Sequence, residues 1–223
     1  MEFLSDLWLG IINAFQGIPM TLAVSAIAVA AGLLLGFVVA FLRKSKFKVL
    51  RAIAMVYVDV LRGTPLVVQA LIMAYGVPVL LQQQGVDFKW PYLTIPATIV
   101  CSLNSAAYMG EIVRGGLEAV SKGQREAAAS LGMTQRQANR LIVIPQAVRI
   151  ILPPLGNEFI TMIKETAVLS WVGVVETMRM GTLLASRSFD TFTAYGGVAI
   201  VYLIFTIPLS KLVLYLEKRM KLQ

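Results

Sequence analysis

Four long stretches of the chain contain no charged residue, and this pattern predicts helices that cross a membrane. They cover residues 17–42, 63–81, 91–110 and 191–210 and are 19 to 26 residues long. A helix needs about 20 apolar residues to cross the hydrocarbon core of a bilayer. A soluble protein could bury one such stretch, but four of them in 223 residues indicate a membrane protein.

A fifth stretch, residues 150–175, is mostly apolar and has the right length, but it contains Glu158, Lys164 and Glu165. We interpret it as a span with functional charges, because an ionisable group inside a span is costly and marks a functional site by default. The fold class is therefore predicted to be an all-α membrane protein with five transmembrane helices. The predicted spans are about 17–42, 52–81, 91–117, 150–175 and 193–217.

The remaining segments suggest a simple domain organisation. Residues 1–16 carry apolar residues at helical spacing and are predicted to form an amphipathic N-terminal helix on the membrane surface. Residues 17–223 are predicted to form a single transmembrane domain. Its longest connection, at about 118–149, is polar and predicted to be cytoplasmic.

The distribution of basic residues predicts the orientation. The net charge is +8. Fifteen Lys and Arg residues lie after span one, after span three or at the end of the chain, whereas the loops on the opposite side contain three. Short loops rich in Lys and Arg stay in the cytoplasm. The N-terminus is therefore expected outside and the C-terminus in the cytoplasm, and the positive charge is attributed to topology and lipid contact rather than to nucleic acid.

Composition narrows the possible chemistry. The chain is 57% hydrophobic and only 14% charged, whereas soluble domains average about 25% charged residues. With Cys101 as the single cysteine and no histidine, a disulfide scaffold and a His/Cys metal site are excluded. We therefore predict no metal site and no cofactor in this chain.

The polar connection has the features of two short helices joined at a glycine. Residues 126–131 are good helix formers, Gly132 stands where a C-terminal cap is expected, and Thr134 can cap a second helix. A rigid knob of this kind on the cytoplasmic face suggests a docking partner. The alternative is an ordinary surface loop.

The spacing of this connection resembles the EAA loop of ABC importer permeases. The matching residues are Glu126-Ala127-Ala128, then Gly132, Ile142 and Ile144-Pro145, with Ile144 where that family usually has Leu. Further blocks resemble polar amino-acid permeases of the histidine/glutamine/arginine family. These blocks are residues 62–69, 144–147, 152–157 and 164–167, with two substitutions in the last. The resemblance extends over about residues 17–218.

This resemblance implies a type I ABC importer permease in the bacterial plasma (inner) membrane. Two permease subunits, identical or paralogous, would pair, and each would bind a cytoplasmic subunit that holds ATP and Mg. An extracytoplasmic binding protein would deliver the amino acid. This chain has no Gly-rich Lys-Ser/Thr phosphate loop, so it would not itself be an enzyme. The residues implied in coupling to the ATPase are Arg125, Glu126, Ala127, Ala128 and Gly132.

Polar residues within the predicted spans are the candidates for substrate binding. They are Asp59, Asn104, Asn157, Glu158 and Thr161. Glu158 has no basic residue three or four positions away, so it needs a partner from another helix or a cationic substrate. Asp59 has Arg62 at i+3, and a structural ion pair is an equal alternative there.

Adjacent prolines at 153 and 154 should kink or unwind the fourth span. The helix N-termini freed at such a kink could meet a substrate carboxylate. The acidic bias of the candidate site favours a basic amino acid such as arginine, lysine or histidine. The same machinery importing glutamine or glutamate is the alternative, and a stand-alone channel or secondary transporter is a further one.

Overall fold

The computed structural model describes residues 2–220, which are almost entirely helical and contain no β-strand. In chain order the α-helices are α1 (Glu2–Gln16), α2 (Ile18–Arg43), α3 (Lys48–Gly63), α4 (Leu66–Leu71), α5 (Val77–Gln83), α6 (Thr94–Ala119), α7 (Lys122–Ser130), α8 (Gln135–Ala138), α9 (Ile144–Glu165), α10 (Thr177–Ser188) and α11 (Thr191–Met220). A first π-helical segment, Ile72–Gly76, joins α4 to α5, and a second, Asn139–Val143, joins α8 to α9. A 3₁₀ segment, Thr166–Val172, continues α9.

Helices α2 and α6 run parallel and form the closest helix pair. Gly32 lies beside Ser105, and Gly36 lies beside Gly110. A Cβ atom on Gly32 would stand 2.7 Å from Ser105 Oγ, and one on Gly36 would stand 2.9 Å from the Gly110 nitrogen. The small residues thus let two backbones approach within the chain, rather than at a contact between subunits.

By length and composition, three helical stretches of the described chain can cross a membrane: α2, Leu66–Gln83 and α11. A fourth is possible if Gln135–Val172 and α10 are taken as one span bent by 48°. Helix α6 is long enough, but its sequence is less apolar because polar residues such as Asn104 are buried against protein rather than lipid. The count of five spans therefore stays a prediction.

The bounds predicted for the second span, about 52–81, are wrong, because the apolar unit covers only Leu66–Gln83. Helix α3 ends at Gly63, and Thr64 takes an extended conformation with φ −118° and ψ 146° before Pro65. The proline ring disfavours helical geometry in the residue before it. The chain therefore breaks, and the apolar unit begins afresh at Leu66.

Both π-helical segments end two residues before a proline. In the first, Val77 N–H donates to Ile72 O, five residues back, and Pro78 follows. In the second, Ile144 N–H donates to Asn139 O in the same way. A proline lacks the N–H of the normal helical bond and its ring crowds the carbonyl four residues earlier. The wider π turn accommodates that conflict without breaking the helix.

Of the predicted kink or unwinding at Pro153 and Pro154, the unwinding is wrong, because α9 passes through both prolines as an α-helix. The carbonyls four residues earlier belong to Arg149 and Ile150, and all four residues line one cavity of about 400 Å³. Water in such a cavity can take the place of the missing N–H donors. No helix N-terminus is therefore freed at this position.

The actual break follows the 3₁₀ segment. Gly173 adopts a left-handed conformation with φ 89°, and the chain then turns into α10. Glu176 caps α10: its fully buried carboxylate accepts N–H bonds from Met178 and Arg179 and an O–H bond from Tyr202. These bonds join the loop, α10 and α11 in one packed unit.

Helix α1 packs lengthwise and parallel on α11. The rings of Phe3 and Phe192 lie 6.0 Å apart, and those of Phe15 and Phe205 lie 5.7 Å apart. Small Gly10 is buried at this contact. A helix that follows α11 in this way does not fit the prediction of a helix lying flat on the membrane surface.

Candidate translocation and coupling sites

A cluster of amide groups closes the break between α3 and α4. Gln69 Nε2 donates to Leu61 O (2.9 Å), Thr64 O (3.1 Å) and Thr64 Oγ1 (2.9 Å). Asn104 Nδ2, from α6, donates to Leu61 O (3.1 Å) and to Gln69 Oε1 (3.2 Å). Carbonyls that the break leaves without helical partners are therefore satisfied by side chains, as a membrane environment requires.

One buried oxygen atom beside this cluster, Asn104 Oδ1, lacks a hydrogen-bond partner in the described chain, and its residue is 3% exposed. The neighbouring Ser105 hydroxyl is fully buried and faces the Glu158 carboxylate. A buried polar atom without a partner costs roughly 1–3 kcal/mol. Such atoms in a native fold require an explanation, and a bound donor group would provide one.

Glu158 brings a carboxylate to the same region. It is 8% exposed and lies close to Ser105, with Arg62 and Glu165 within electrostatic range. The Arg62 guanidinium also stacks over the ring of Tyr108 on α6, 5.0 Å from its centroid. Glu158 forms no salt bridge among the described residues, and Arg62 of α3 is a cation within electrostatic range that remains directed at Tyr108.

The other predicted substrate-binding residues lie elsewhere or at the edge of this region. Thr161 is half-buried on α9, one turn beyond Glu158. Asn157 is exposed and lines the separate cavity that contains Pro153 and Pro154. Asp59 is exposed on α3 and forms no salt bridge with Arg62, since Arg62 is over Tyr108. The structure therefore brings together Asn104 and Glu158, and sets Asn157 and Asp59 apart from them.

Sequence reasoning missed Gln69 as a site residue. The available signal was an amide within the otherwise apolar helix Leu66–Leu71, four positions after Pro65. The role of Gln69 depends on the chain break at Thr64 and Pro65, and the predicted second span included no such break.

The predicted docking helix exists as α7, and Gly132 ends it. Gly132 has φ 74°, its N–H donates to Ala129 O (2.9 Å), and Met133 N–H donates to Ala128 O (3.0 Å). These two bonds form a Schellman cap, for which a left-handed glycine is favoured. Thr134 and Gln137 then form a capping box at the start of α8.

Two details of the predicted knob differ from the structure. Ala128 is 1% exposed, and α7 packs on α8 and the second π segment, so this residue is used inside the chain. The second helix is not short, because α8 continues through the second π segment into α9. Glu126, Ala127 and Gly132 are exposed, and Arg125 is half-buried. The exposed surface therefore lies at one end of a long helical unit.

An ionic network connects α2, α6 and α7 near this surface. Glu111 binds Arg43 from α2 and Arg114 from its own helix, the latter at 2.8 Å. Arg114 also binds Glu118 at 2.6 Å. Arg125 of α7 donates to the carbonyl of Leu117 (3.4 Å). The Glu111–Arg114 pair within α6 is therefore part of a larger contact between helices.

Comparison with known proteins identifies the family. A family model described as "Binding-protein-dependent transport system inner membrane component" matches residues 32–222. The chain belongs to this family. As an inner membrane component of a transport system, it has the location and the permease class that the sequence predicts.

Relatives within the inner membrane component family include named permeases. The chain is 35% identical over 218 residues to the glutamine transport system permease protein GlnP of Escherichia coli strain K12, covering 98% of this chain and 97% of the relative. It is 37% identical over 207 residues to the probable glutamine ABC transporter permease protein GlnM of Bacillus subtilis strain 168, covering 92% of each.

Solved structures confirm the fold. An amino acid ABC transporter crystallised with histidines matches with a TM-score of 0.87 and 38% identity, over 98% of this chain and 99% of that chain. The MetNI methionine ABC transporter in an inward-facing conformation matches with a TM-score of 0.70 and 17% identity, over 93% and 96%. The second match shows the fold alone. The all-helical, type I importer permease fold predicted from the sequence is therefore confirmed.

Proposed function

We propose that this chain is the membrane-spanning subunit of an ATP-driven amino-acid importer. Membership of the inner membrane component family supports the transport role. Relatives named for glutamine and an amino acid ABC transporter with the same fold support the substrate class. The observation that carries the proposal is the buried Glu158, with Arg62 within electrostatic range, near the unpartnered oxygen of Asn104.

This arrangement suits a zwitterion. The Glu158 carboxylate can accept hydrogen bonds from the substrate α-ammonium group, and the unpartnered Asn104 oxygen can accept a further N–H bond. The Arg62 guanidinium can bind the substrate α-carboxylate, a pairing that favours bidentate geometry. Residue Thr161, one turn from Glu158, extends the polar surface along α9.

Two substrate side chains fit these groups. A basic amino acid, such as arginine, lysine or histidine, matches the acidic residues Glu158 and Glu165. Glutamine matches the amides of Gln69 and Asn104 and has the support of the two relatives named for it. Because Arg62 already provides a cation near Glu158, the case for glutamine is at least as strong.

The coupling surface would be the exposed side of α7, with Glu126, Ala127 and Gly132, whereas half-buried Arg125 turns toward α6. In this proposal a cytoplasmic subunit binds ATP and Mg, hydrolyses ATP and moves α7. The Schellman cap makes α7 a rigid element, and its contacts with α8 transmit that movement to α9 and Glu158. A second permease subunit completes the path, and an extracytoplasmic binding protein supplies the amino acid.

The test is uptake of labelled glutamine and labelled arginine by liposomes containing the assembled transporter. We expect uptake only when the ATP-binding subunit, the binding protein and ATP are all present. Uptake by this chain without an ATP-binding subunit would instead establish a stand-alone channel or secondary transporter.

Glu158→Gln separates the two substrates. If a basic side chain is bound at Glu158, the variant should lose arginine uptake by about tenfold, the effect of roughly 1.4 kcal/mol, and lose less glutamine uptake. Asp59→Asn, an exposed carboxylate on α3 that lies apart from Glu158, is the matched control for a general change of charge. Equal uptake of both substrates by Glu158→Gln and the unaltered chain would remove Glu158 from the binding site.

A further inference from the structure

An apolar groove lies where α2, α6 and α9 come together near α7. Its volume is about 370 Å³. Phe37 and Phe41 of α2, Val113 of α6, and Val148 and Ile151 of α9 form its walls. At one end these walls give way to polar residues. The groove therefore has a long apolar body and a polar mouth.

The mouth of the groove is cationic. Lys44, at the end of α2, and Arg125 of α7 are lining residues, and no carboxylate lines the groove. Arg125 donates only one described bond, a long one of 3.4 Å to a backbone carbonyl, so most of its five N–H donors are available. Both carboxylates of α6 in the ionic network are already bound by arginines, Glu111 by Arg43 and Arg114 and Glu118 by Arg114. The mouth consequently carries net positive charge.

The groove faces outward rather than into the core. Phe41 is 68% exposed and Val148 is 44% exposed. Both belong to helices whose neighbouring segments are embedded in lipid, and Lys44 directly follows the last turn of the spanning helix α2. This places the groove at the depth where acyl chains meet phosphate groups. In such a position its apolar walls and cationic mouth complement opposite ends of one molecule.

We propose that this groove binds an anionic phospholipid from the adjacent leaflet. One acyl chain lies along Phe37, Phe41 and Val148, and the phosphate group binds Lys44 and Arg125. Basic pockets between transmembrane helices are a recurrent way of binding anionic headgroups. Because the groove joins the end of α2 to α7, the bound lipid contacts the coupling segment and holds it against the membrane domain. This site is distinct from the amino-acid site and does not depend on it.

The experiment measures lipid binding by the assembled transporter with native mass spectrometry. Phosphatidylglycerol and phosphatidylcholine with identical acyl chains are the two probes. We expect the anionic lipid to bind about fivefold more tightly or more, since each cation near the membrane surface contributes about 1 kcal/mol. Equal affinities for the two lipids would overturn the proposal.

Variants locate the site. Lys44→Gln should weaken phosphatidylglycerol binding by about fivefold, and Lys44→Arg should restore it. Val148→Trp fills the groove with the cations intact and should weaken both lipids. Lys218→Gln, which removes a cation from α11 outside the groove, is the matched control and should change neither. The proposal fails if Lys218→Gln weakens binding as much as Lys44→Gln, or if Val148→Trp retains full affinity.

Thermal unfolding of each variant separates a lost lipid from a lost fold. All four variants should melt within a few degrees of the unaltered chain in a zwitterionic detergent. Added phosphatidylglycerol should raise the melting temperature of the unaltered chain and of Lys44→Arg. It should raise that of Val148→Trp much less. The same rise in all variants would contradict binding in the groove.

Discussion

The two π-helical segments arise from the same sequence device and are completed in different ways. In the first, Ile72–Gly76, the π bond uses Ile72 O, and Met73 O has no donor at Pro78. The indole N–H of Trp90 donates to Met73 O at 2.9 Å. In the second, Asn139–Val143, Pro145 deprives Arg140 O in the same way, but Arg140 is exposed.

The difference reflects the surroundings of each segment. The first segment lies within the apolar stretch Leu66–Gln83, where lipid offers no hydrogen-bond donor. A protein donor is therefore necessary. The second lies in the polar connection, where water or a docking partner can satisfy the carbonyl. A π turn before a proline thus requires a hydrogen-bond donor from elsewhere in the protein when it lies in the membrane. In the polar connection the carbonyl is left available to water or to a docking partner.

The largest effect is expected where the polar connection is available to a partner. A Cβ at Gly132 has nothing within 4 Å, so Gly132→Trp should leave membrane insertion intact and obstruct docking of the ATPase. Uptake per ATP hydrolysed should fall by about tenfold or more, on the scale of a coupling free energy of roughly 1–3 kcal/mol. Simultaneous assays of uptake and ATP hydrolysis in liposomes test this expectation.

Gly132→Ala is the matched control. Alanine is strained in the left-handed conformation by about 1–2 kcal/mol, as tryptophan is, but it lacks the bulk of the tryptophan side chain. It should retain most coupling. Normal ATP-driven uptake by Gly132→Trp would show that this face of the connection does not dock on the ATPase.

A smaller effect is expected in the membrane segment. Trp90→Phe keeps an aromatic ring next to Phe88, which packs edge-on against Trp90 at 4.8 Å, but removes the donor to Met73 O. The free energy of unfolding should fall by about 1–2 kcal/mol, measured as a lower melting temperature in detergent. In a Pro78→Ala background the new N–H at position 78 can serve Met73 O, so the same substitution should cost less. An equal cost in both backgrounds would mean that the indole N–H is not what completes the π turn.

The smallest effect is expected at the second π segment. Pro145→Ala supplies an N–H for Arg140 O, a carbonyl that water already reaches. The melting temperature should therefore change little, corresponding to about 0.5 kcal/mol or less. A stabilisation as large as the loss in Trp90→Phe would show that Arg140 O is as isolated as Met73 O, and the contrast between the two segments would disappear.

The sequence predicts those parts of the fold that lipid constrains directly. Charge-free runs located α2 and α11 closely, because a spanning helix must exclude charge over its whole length. The charge-free run at residues 63–81 indicates the apolar unit that begins at Leu66, but the predicted span was extended back to residue 52, across Thr64 and Pro65. Hydropathy measures apolar length and does not detect a chain break. Conversely, Pro153 and Pro154 predicted a kink or unwinding, and α9 does not unwind there but continues beside a cavity that can hold water.

The sequence predicts members of the candidate site only where a single charged or amide residue stands within an apolar span. Glu158 is a charge in a span, and Asn104 is an amide in one, so both were identified from the sequence. The position of Asp59 depends on the rotation of α3, which is set by tertiary packing. An ion pair between Arg62 and Asp59 was an equal alternative because they are neighbours on one helix, whereas the structure directs Arg62 to Tyr108 on another helix. Local spacing does not contain that information.

The close contact between α2 and α6 restricts how this permease can move. With Gly32 against Ser105 and Gly36 against Gly110, neither helix can rotate or slide without a steric clash, so the pair behaves as one rigid body. The remaining freedom lies at two hinges, the extended residues at Thr64–Pro65 and the left-handed turn at Gly173. Alternating access would then be a rotation of the outer segments about these hinges, with the α2–α6 pair as the fixed frame.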